Sequence, residues 1–496
     1  MNMLEIPSSM NKKVQDAIEA IKQSERVLAI SHIDTDGITA MAIIVQFLER
    51  EGKEHIWKNI HQLNSESILT VLELAESERP DTIIFTDLGT GQYPLIESNL
   101  ADLSFVRSIV ILDHHLPGDR NPLDKHNGKA EIIEINPCQH GLSGSSDISG
   151  AGVAFLLAYF YNQKNIDLVE LAMVGATGDL QRYYGRGFRG LNKQILDLGT
   201  DSGFISVDRD LTFFGINTRG LPYLLCYATD PYLPGITGDE ESCFSFYSDL
   251  NIDIKDEDDQ YKVWIDLENG DKKRVIQKLV AHILETYENP AIAQGIVGDV
   301  VNLLSRPERS ELRTAKEFST MLNACGRNRR PEVGVRVCLG EPEAIIEGRN
   351  LLRQHRANLA SALRRIETDG YDEKPGMYIV NDPETQDTII GIVIGMAQGS
   401  KIIPWDRPVI GVSTNTTNET TLVKISGRAR KDLLGRGINL KEVFTGVAKN
   451  INKREGRTVI EAGGHPMAAG AFVENEFLEE FLQLSSNSMD SILKSN

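Results

Sequence analysis

Ser108-Ile-Val-Ile-Leu112 is a short, unbroken run of small and apolar side chains that stops at Asp113-His114-His115. A run of this kind reads as a strand covered on both faces, which is what a parallel sheet requires. Open α/β sheets bind their ligands just beyond the carboxyl ends of such strands. An acid and two imidazoles at that position are therefore candidate ligands or proton carriers. The arrangement recurs: Arg26 to Ser31 runs into His32-Ile33-Asp34-Thr35-Asp36-Gly37, and Asp81 to Phe85 into Thr86-Asp87.

The segments between these runs have helical length and period. Val14 to Lys22, Ile38 to Arg50 and Ser65 to Ser77 read as helices, the last with Ile68, Leu69, Leu72 and Leu74 inward. His55 to Ile60 and Glu131 to Ile135 read as further strands. Strands alternating with helices at this spacing indicate crossover units and a parallel sheet. Ser149 is placed to cap an apolar helix that continues to Tyr161, and Asp167 to Ala176 forms another that leads into Gly178-Asp179. After about Gly203, prolines and the charged stretch Asp253 to Lys262 change the texture, and Lys272 to Thr286 and Arg313 to Asn323 read as helices. Gly348 to Glu367 is a long helix with leucines on one side and arginines on the other. The β pattern then returns at Met377 to Val380, Thr388 to Ile394, Pro408 to Val412 and Thr421 to Ile425, followed by helices at Leu440 to Ile451 and Phe477 to Leu493. The expected fold is α/β: a parallel-sheet domain over 1–205, an inserted mainly helical region over 206–345, a connecting helix over 346–372 and a smaller α/β domain over 373–496.

With 71 acids against 52 lysines and arginines, the net charge is −19, which disfavours a broad basic surface coating duplex DNA. Basic residues cluster locally, at Arg327, Arg329 and Arg330, along Arg349 to Arg365, and from Lys424 to Arg436. The longest apolar runs, Ile38 to Leu48 and Ala151 to Tyr161, fall short of the ~18 residues of a spanning helix, so no membrane partner is expected. Cys138, Cys226, Cys243, Cys325 and Cys338 are scattered and form no CxxC pair, which reads as reduced thiols in a cytoplasmic protein.

His32, Asp34 and Asp36 are two apart, so on extended backbone they share a face. Three strong ligands are expensive to hold together unless a cation offsets their repulsion. With Asp87, His114 and Asp179 they supply enough ligands for two divalent ions sharing one carboxylate. Two ions ~3.5–4 Å apart stabilise the attacking and leaving oxygens of an in-line phosphoryl displacement. Mixed imidazole and carboxylate ligation suits Mn²⁺ better than Mg²⁺, which prefers oxygen.

His32-x-Asp34-x-Asp36-Gly37, Asp87, Asp113-His114-His115 and Gly178-Asp179 resemble the four motifs of the DHH phosphoesterase superfamily. Gly463-Gly464-His465-x-x-Ala468-Ala469-Gly470 resembles the glycine-rich signature of its DHH-associated C-terminal domain, and Ser426-Gly427-Arg428 that domain's arginine motif. The insertion, through Thr229 to Glu240 and Leu322 to Arg327, resembles the archaeal RecJ-like branch, whose members include single-strand nucleases and associate with the GINS complex. The resemblance implies one ion on His32, Asp34 and Asp87 and another on Asp36, Asp87, His114 and Asp179, with Mn²⁺ first and Mg²⁺ or Co²⁺ as alternatives. Asp34, Asp36, Asp87 and His115 are then the catalytic candidates, His115 orienting ligands or touching the scissile phosphate, with Asp113 as an orienting partner. Ser426, Arg428, Gly463, Gly464 and His465 would bind substrate phosphate across an interdomain cleft. The implied activity is a metal-dependent, single-strand-specific exonuclease acting on DNA or RNA in replication or repair. Two rivals are a hydrolase of very short oligonucleotides or cyclic dinucleotides, and a replisome scaffold that has lost its ligands.

Overall fold

A computed structural model of the chain describes residues 4–118, 128–182, 187–228, 231, 233–287, 290–414 and 422–495. Thr229, Asp230 and Tyr232 of the insertion motif, and Thr421 at the head of an expected strand, lie outside the described residues. The chain forms two compact units, Met1–Leu352 and Arg353–Asn496.

The first unit is built on a parallel sheet of β1 (Arg26–Ser31), β2 (Glu54–Asn59), β3 (Thr82–Thr86), β4 (Ser108–Leu112) and β5 (Glu131–Ile135), in the order β2-β1-β3-β4-β5. The uniformly apolar runs of β1, β3 and β4 feed two cores by simple alternation. Val27, Ala29, Ile84 and Val110 face one core; Leu28, Ile30, Ile83, Phe85, Ile109 and Ile111 face the other. The first core is closed by α1 (Ser8–Gln23), α2 (Thr35–Arg50), and further along the chain by α5 (Gly150–Tyr161) and α6 (Val169–Gly178); the second by α3 (Ser67–Glu78) and α4 (Tyr93–Leu100). Each large side chain so buried contributes about 1.5–3 kcal/mol. Leu69 corrects the expectation for α3: it is 51% exposed, because the buried stripe runs through Ile68, Val71 and Ala75. Three of the strand ends are in step, Ser31 opposite Thr86 and Thr86 opposite Leu112, so His32, Asp87 and Asp113 leave the sheet level with one another. Strand order reverses between β1 and β3, the place where such sheets open a ligand crevice.

After α7 (Gly190–Asp201), the middle region packs its own core around Trp264 and Tyr247, with α8 (Leu221–Cys226), α9 (Glu240–Ser248), α10 (Asn269–Tyr287) and α11 (Pro290–Gly295). It is framed by an antiparallel ribbon, β6 (Ile205–Leu211) with β7 (Val297–Leu303), absent from the sequence expectation. Ser206, Asp208, Arg209 and Asp210 give β6 too little apolar alternation to announce a strand. The chain then returns through α12 (Ala315–Arg327) and α13 (Pro331–Cys338) to pack on the first core, and α14 (Pro342–Asp369) follows.

The second unit holds a six-stranded mixed sheet, β12-β13-β11-β10-β9-β8, from β8 (Asp372–Lys374), β9 (Met377–Asn381), β10 (Val409–Ser413), β11 (Leu422–Arg428), β12 (Ile460–His465) and β13 (Ala468–Glu474). Only the β9–β10 pairing is parallel among the described strands of this sheet. The expected strand Thr388 to Ile394 is instead the start of a helix, α15 (Ile390–Gly399). A short apolar run looks the same in a buried strand and a buried helix. Gly411 settles the packing, since a Cβ there would sit 2.6 Å from Ile390 Cγ1, so β10 and α15 touch nearly backbone to side chain. Among the described residues, no helix is long and apolar enough to cross a membrane.

Glu317 ties α12 to the segment after β6. Its side chain is 1% exposed and lies near the backbone N–H groups of Gly215 and Asn217, with the Thr218 hydroxyl donating to Oε2 at 3.3 Å. Burial pushes the carboxyl up to about 7, against the pull of those N–H groups and of Arg219. A carboxyl raised from its ordinary 4.5 stabilises the fold while neutral, fully below pH 4.5, and loses that contribution as pH rises through about 7. Glu317→Gln stays neutral, so its stability relative to the parent should rise by about 2–3 kcal/mol between pH 4.5 and 8. Urea denaturation of both proteins across that range checks this; a constant difference would contradict it.

Candidate metal centre

Asp34 ends the β1 loop as the N-cap of α2, its carboxylate accepting Gly37 N–H at 3.0 Å. Asp36, one residue into the helix, is 2% exposed and points at the N-terminus of α5. There its two oxygens accept Gly150 N–H at 2.6 Å and Ala151 N–H at 3.0 Å. The small residues opening α5 thus serve an internal carboxylate, the ordinary use of a helix N-terminus for an anion. Gly150 also lets Asp87 approach, since a Cβ on it would lie 2.8 Å from Asp87 Cβ.

Asp87 steps off β3 with φ +58, a left-handed conformation that a non-glycine residue holds only under constraint. It is 2% exposed and central: Oδ1 lies 3.1 Å from His114 Nε2 and Oδ2 3.6 Å from His32 Nδ1, which is itself 3.1 Å from Asp34 Oδ2. His114 Nδ1 donates to Gly144 O at 2.7 Å, which turns Nε2 toward Asp87 and toward Asp36 Oδ2, 3.6 Å away, as the nitrogen a metal would take from the neutral ring. Asp179 caps the end of α6 with Oδ2 3.8 Å from the His114 ring. Asp113 points elsewhere. Its oxygens accept from His114 N, His115 N, His115 Nδ1 and Thr90 N, so it orients the two histidines. His115 is half exposed, with Nδ1 4.0 Å from Asp87 Oδ1.

Three sets of potential ligands result: His32, Asp34 and Asp87; Asp36, His114 and Asp179; and Asp87, His114 and His115, each with donor atoms within 4.8 Å of one another. All six sequence-derived ligands are therefore in one place. Among the described residues no lysine or arginine ion-pairs with Asp34, Asp36, Asp87 or Asp179. His32 Nδ1 and Asp87 Oδ2 are buried without a hydrogen-bond partner.

The electrostatics show the same deficit of positive charge. Burial and the neighbouring Asp87 carboxylate raise Asp36 well above the carboxylate range. Burial, and then Asp87 against the opposing pull of His114, raises Asp179. Burial alone would lower His32 and His114, yet the acids around them hold both well above the imidazole range. Asp34, despite its burial, is held low by His32 and Gly37 N–H. A nest of acids whose charge is balanced only by protons held on its own histidines and carboxyls fits divalent cations in donor type and charge.

The remaining candidates belong to the second unit. Arg428 and His465 both face Ala468 across the β11–β13 and β12–β13 ladders, and Ser426 and Gly463 both face Gly470. They thus form two short rows on one end of the sheet. Gly464, with φ +124 and only 2.6 Å between a virtual Cβ and Ala468 O, admits no side chain. The Arg428 guanidinium lies over Gly391 of α15, whose virtual Cβ would be 2.7 Å from Nη2.

His115 gives a pH signature. Burial would lower it, but the hydrogen bond and charge of Asp113 push it up to about 9 from 6.5. The stability its protonated ring supplies is complete below pH 6.5 and lost as pH rises through about 9. The ion-free protein should therefore lose Tm between pH 6.5 and 9.5, and His115→Gln should flatten that slope. A divalent ion at about a hundred times its Kd should add about 2.7 kcal/mol, with a larger Tm rise at pH 8 than at pH 6 because its ligands then carry fewer protons. Scanning calorimetry with and without Mn²⁺ reads both; pH-independent Tm values unaffected by the ion would refute them.

Comparison with known proteins agrees with this fold. The model for the DHH family, N-terminal domain, matches residues 26–177, that for the DHH-CID domain 213–296, and that for the DHHA1 domain 376–490. The uncharacterized protein MJ0831 of Methanocaldococcus jannaschii is 28% identical over 480 residues, 95% of this chain and 96% of its own. The single-stranded-DNA-specific exonuclease RecJ of Escherichia coli is 25% identical over 197 residues; the match covers 35% of this chain but only 32% of RecJ. In fold, the chain is similar to RecJ of Thermus thermophilus in complex with Mn²⁺ (TM-score 0.58, 17% identity, 98% of this chain and 55% of that one). It is also similar to CDC45 of Entamoeba histolytica (TM-score 0.61, 13% identity, 97% and 99%). With its sheet and its acid-and-imidazole cluster, the chain carries a DHH domain, a DHH-CID domain and a DHHA1 domain in that order.

Proposed function

We propose that this protein is a divalent-metal-dependent phosphodiesterase acting as an exonuclease on single-stranded DNA or RNA. The observation that carries the reading is the convergence of His32, Asp34, Asp36, Asp87, His114 and Asp179 at one sheet edge, where among the described residues no lysine or arginine pairs with the acids. His32, Asp34 and Asp87 would hold one ion and Asp36, Asp87, His114 and Asp179 a second, with Mn²⁺ the favoured metal. Bound there, two such ions would lower the pKa of water and neutralise charge on a phosphoryl group in displacement. The protein's own part is positional. Gly150 and Ala151 N–H groups fix Asp36, Gly144 O fixes the His114 tautomer, and Asp113 holds His115, with its exposed edge toward solvent, where a phosphate oxygen would lie. Ser426, Arg428, Gly463, Gly464 and His465 are the residues proposed to take substrate phosphate. The division at 1–205, 206–345, 346–372 and 373–496 is proposed on the same basis.

The sequence match to RecJ supports a single-strand substrate, and an acidic exterior suits an enzyme that meets nucleic acid only locally. The similarity in fold to CDC45 favours a second reading, a scaffold that docks on a replication assembly such as GINS. A scaffold has no use for six converging metal ligands, so the first reading is preferred.

Strands labelled at either end, in both sugars, incubated with Mn²⁺, should release mononucleotides, slower with added salt, while duplex is spared and a chelator stops the reaction. Asp87→Ala should lower the rate by at least about 10²–10³-fold. Undiminished cleavage by Asp87→Ala, or hydrolysis confined to dinucleotides, would refute the reading.

A further inference from the structure

Two residues past Asp179, Gln181 is buried at 3% exposure although it matches no motif. Its Nε2 donates to Asp179 Oδ2 at 2.8 Å, to Gly144 O at 2.7 Å and, at longer range, to Ile148 O at 3.3 Å. Gly144 O is the carbonyl that also accepts His114 Nδ1. One amide therefore touches a candidate ligand and the group that sets the tautomer of another. Its far side is clamped as well, for Oε1 accepts Asn192 Nδ2 at 2.6 Å, and Asn192 is 1% exposed on α7. Were the amide to turn over, its oxygen would face a carboxylate and two carbonyls, and its NH₂ would face the Asn192 NH₂. Only one orientation is satisfied.

The left-handed turn that closes α6 leads directly into this contact. Leu180, between Asp179 and Gln181, has φ +55 and a side chain 84% exposed, so nothing about Leu180 itself calls for that conformation. The turn it makes brings Gln181 N back to Ala176 O at 3.0 Å and tucks the amide under Asp179.

We propose that Gln181, locked by Asn192, is a positioning residue that holds Asp179 and the metal-facing nitrogen of His114 in place for a divalent ion. This rests on the metal-centre reading above. Such partners fix ligand direction and ring tautomer, and their loss costs about 10–100-fold in metal affinity. The effect should fall on the metal and not on the strand.

The test is Mn²⁺ binding to the full chain, followed by the electron paramagnetic resonance signal of free Mn²⁺, for the parent, Asp87→Ala, Gln181→Leu and Asn192→Leu. Mn²⁺ dependence of strand cleavage is measured alongside. Gln181→Leu should bind Mn²⁺ about 10–100-fold more weakly, keep the parent KM for the strand, and recover most of its kcat at high Mn²⁺. A defect in packing alone would not be rescued by the ion. Asn192→Leu, which keeps the Gln181 amide but removes the clamp on its oxygen, should move the same way by less, and it carries the test if Gln181→Leu does not fold. Parent-like Mn²⁺ affinity in the folded variants, with Asp87→Ala abolishing binding, would overturn this proposal alone. Absence of Mn²⁺ binding in the parent would overturn the metal-centre reading with it.

Discussion

Negative charge packed into a buried sheet edge is the constraint on which the first unit turns. Asp36 and Asp87 are each 2% exposed, and Asp34 and Asp179 lie against them through His32 and His114. Carboxylates in such a place repel one another and lose their water, and each is kept only because something nearby repays part of that cost. Backbone N–H groups do so for Asp34 and Asp36, imidazoles for Asp87 and Asp179. Gly150 is a glycine because it lies against Asp87 and Asp36, Gly37 because it lies against His32, and Asp87 itself sits in a left-handed conformation. The left-handed backbone and, among the described residues, the lack of a lysine or arginine paired with these acids fall on the same few residues, a combination that suits a divalent cation.

This also accounts for how unequally the rest of the chain is shaped. The sheet delivers His32, Asp87 and Asp113 level because its strands are in register, and the strand-order reversal beside β1 leaves room for them. The helices α2, α5 and α6 converge there at their ends, so the large apolar core beneath is in effect the mount for a small polar centre. The insertion has a core of its own around Trp264, and its chemistry is that of a separate packed module.

Much of this was legible in the residues. The strand runs of β1, β3 and β4 are readable because burial on both faces keeps their interiors apolar, with polar residues only at the ends, and the ligands are readable because they follow those runs directly. What escaped has physical reasons. β6 carries four polar or charged residues in seven positions and owes its existence to β7, distant in sequence, so no local signal announces it. The helix at Ile390 resembles a strand in sequence because burial on all sides erases the period that tells the two apart. Leu69 was turned inward on apolar character alone, when Ala75 completes the stripe. Gln181 and Asn192 gave no sign at all. Their significance comes from where a distant carbonyl, Gly144 O, ends up, and that is a property of the fold.

The central claim is that six side chains from four separate segments make a centre for two divalent ions sharing Asp87. It is tested most directly by counting bound Mn²⁺ by anomalous scattering from crystals grown with the metal. Two anomalous peaks about 3.5–4 Å apart are expected, one beside His32 and Asp34, the other beside Asp36, His114 and Asp179, with Asp87 between them. No peak at this edge of the sheet, or ions bound only elsewhere on the chain, would contradict it.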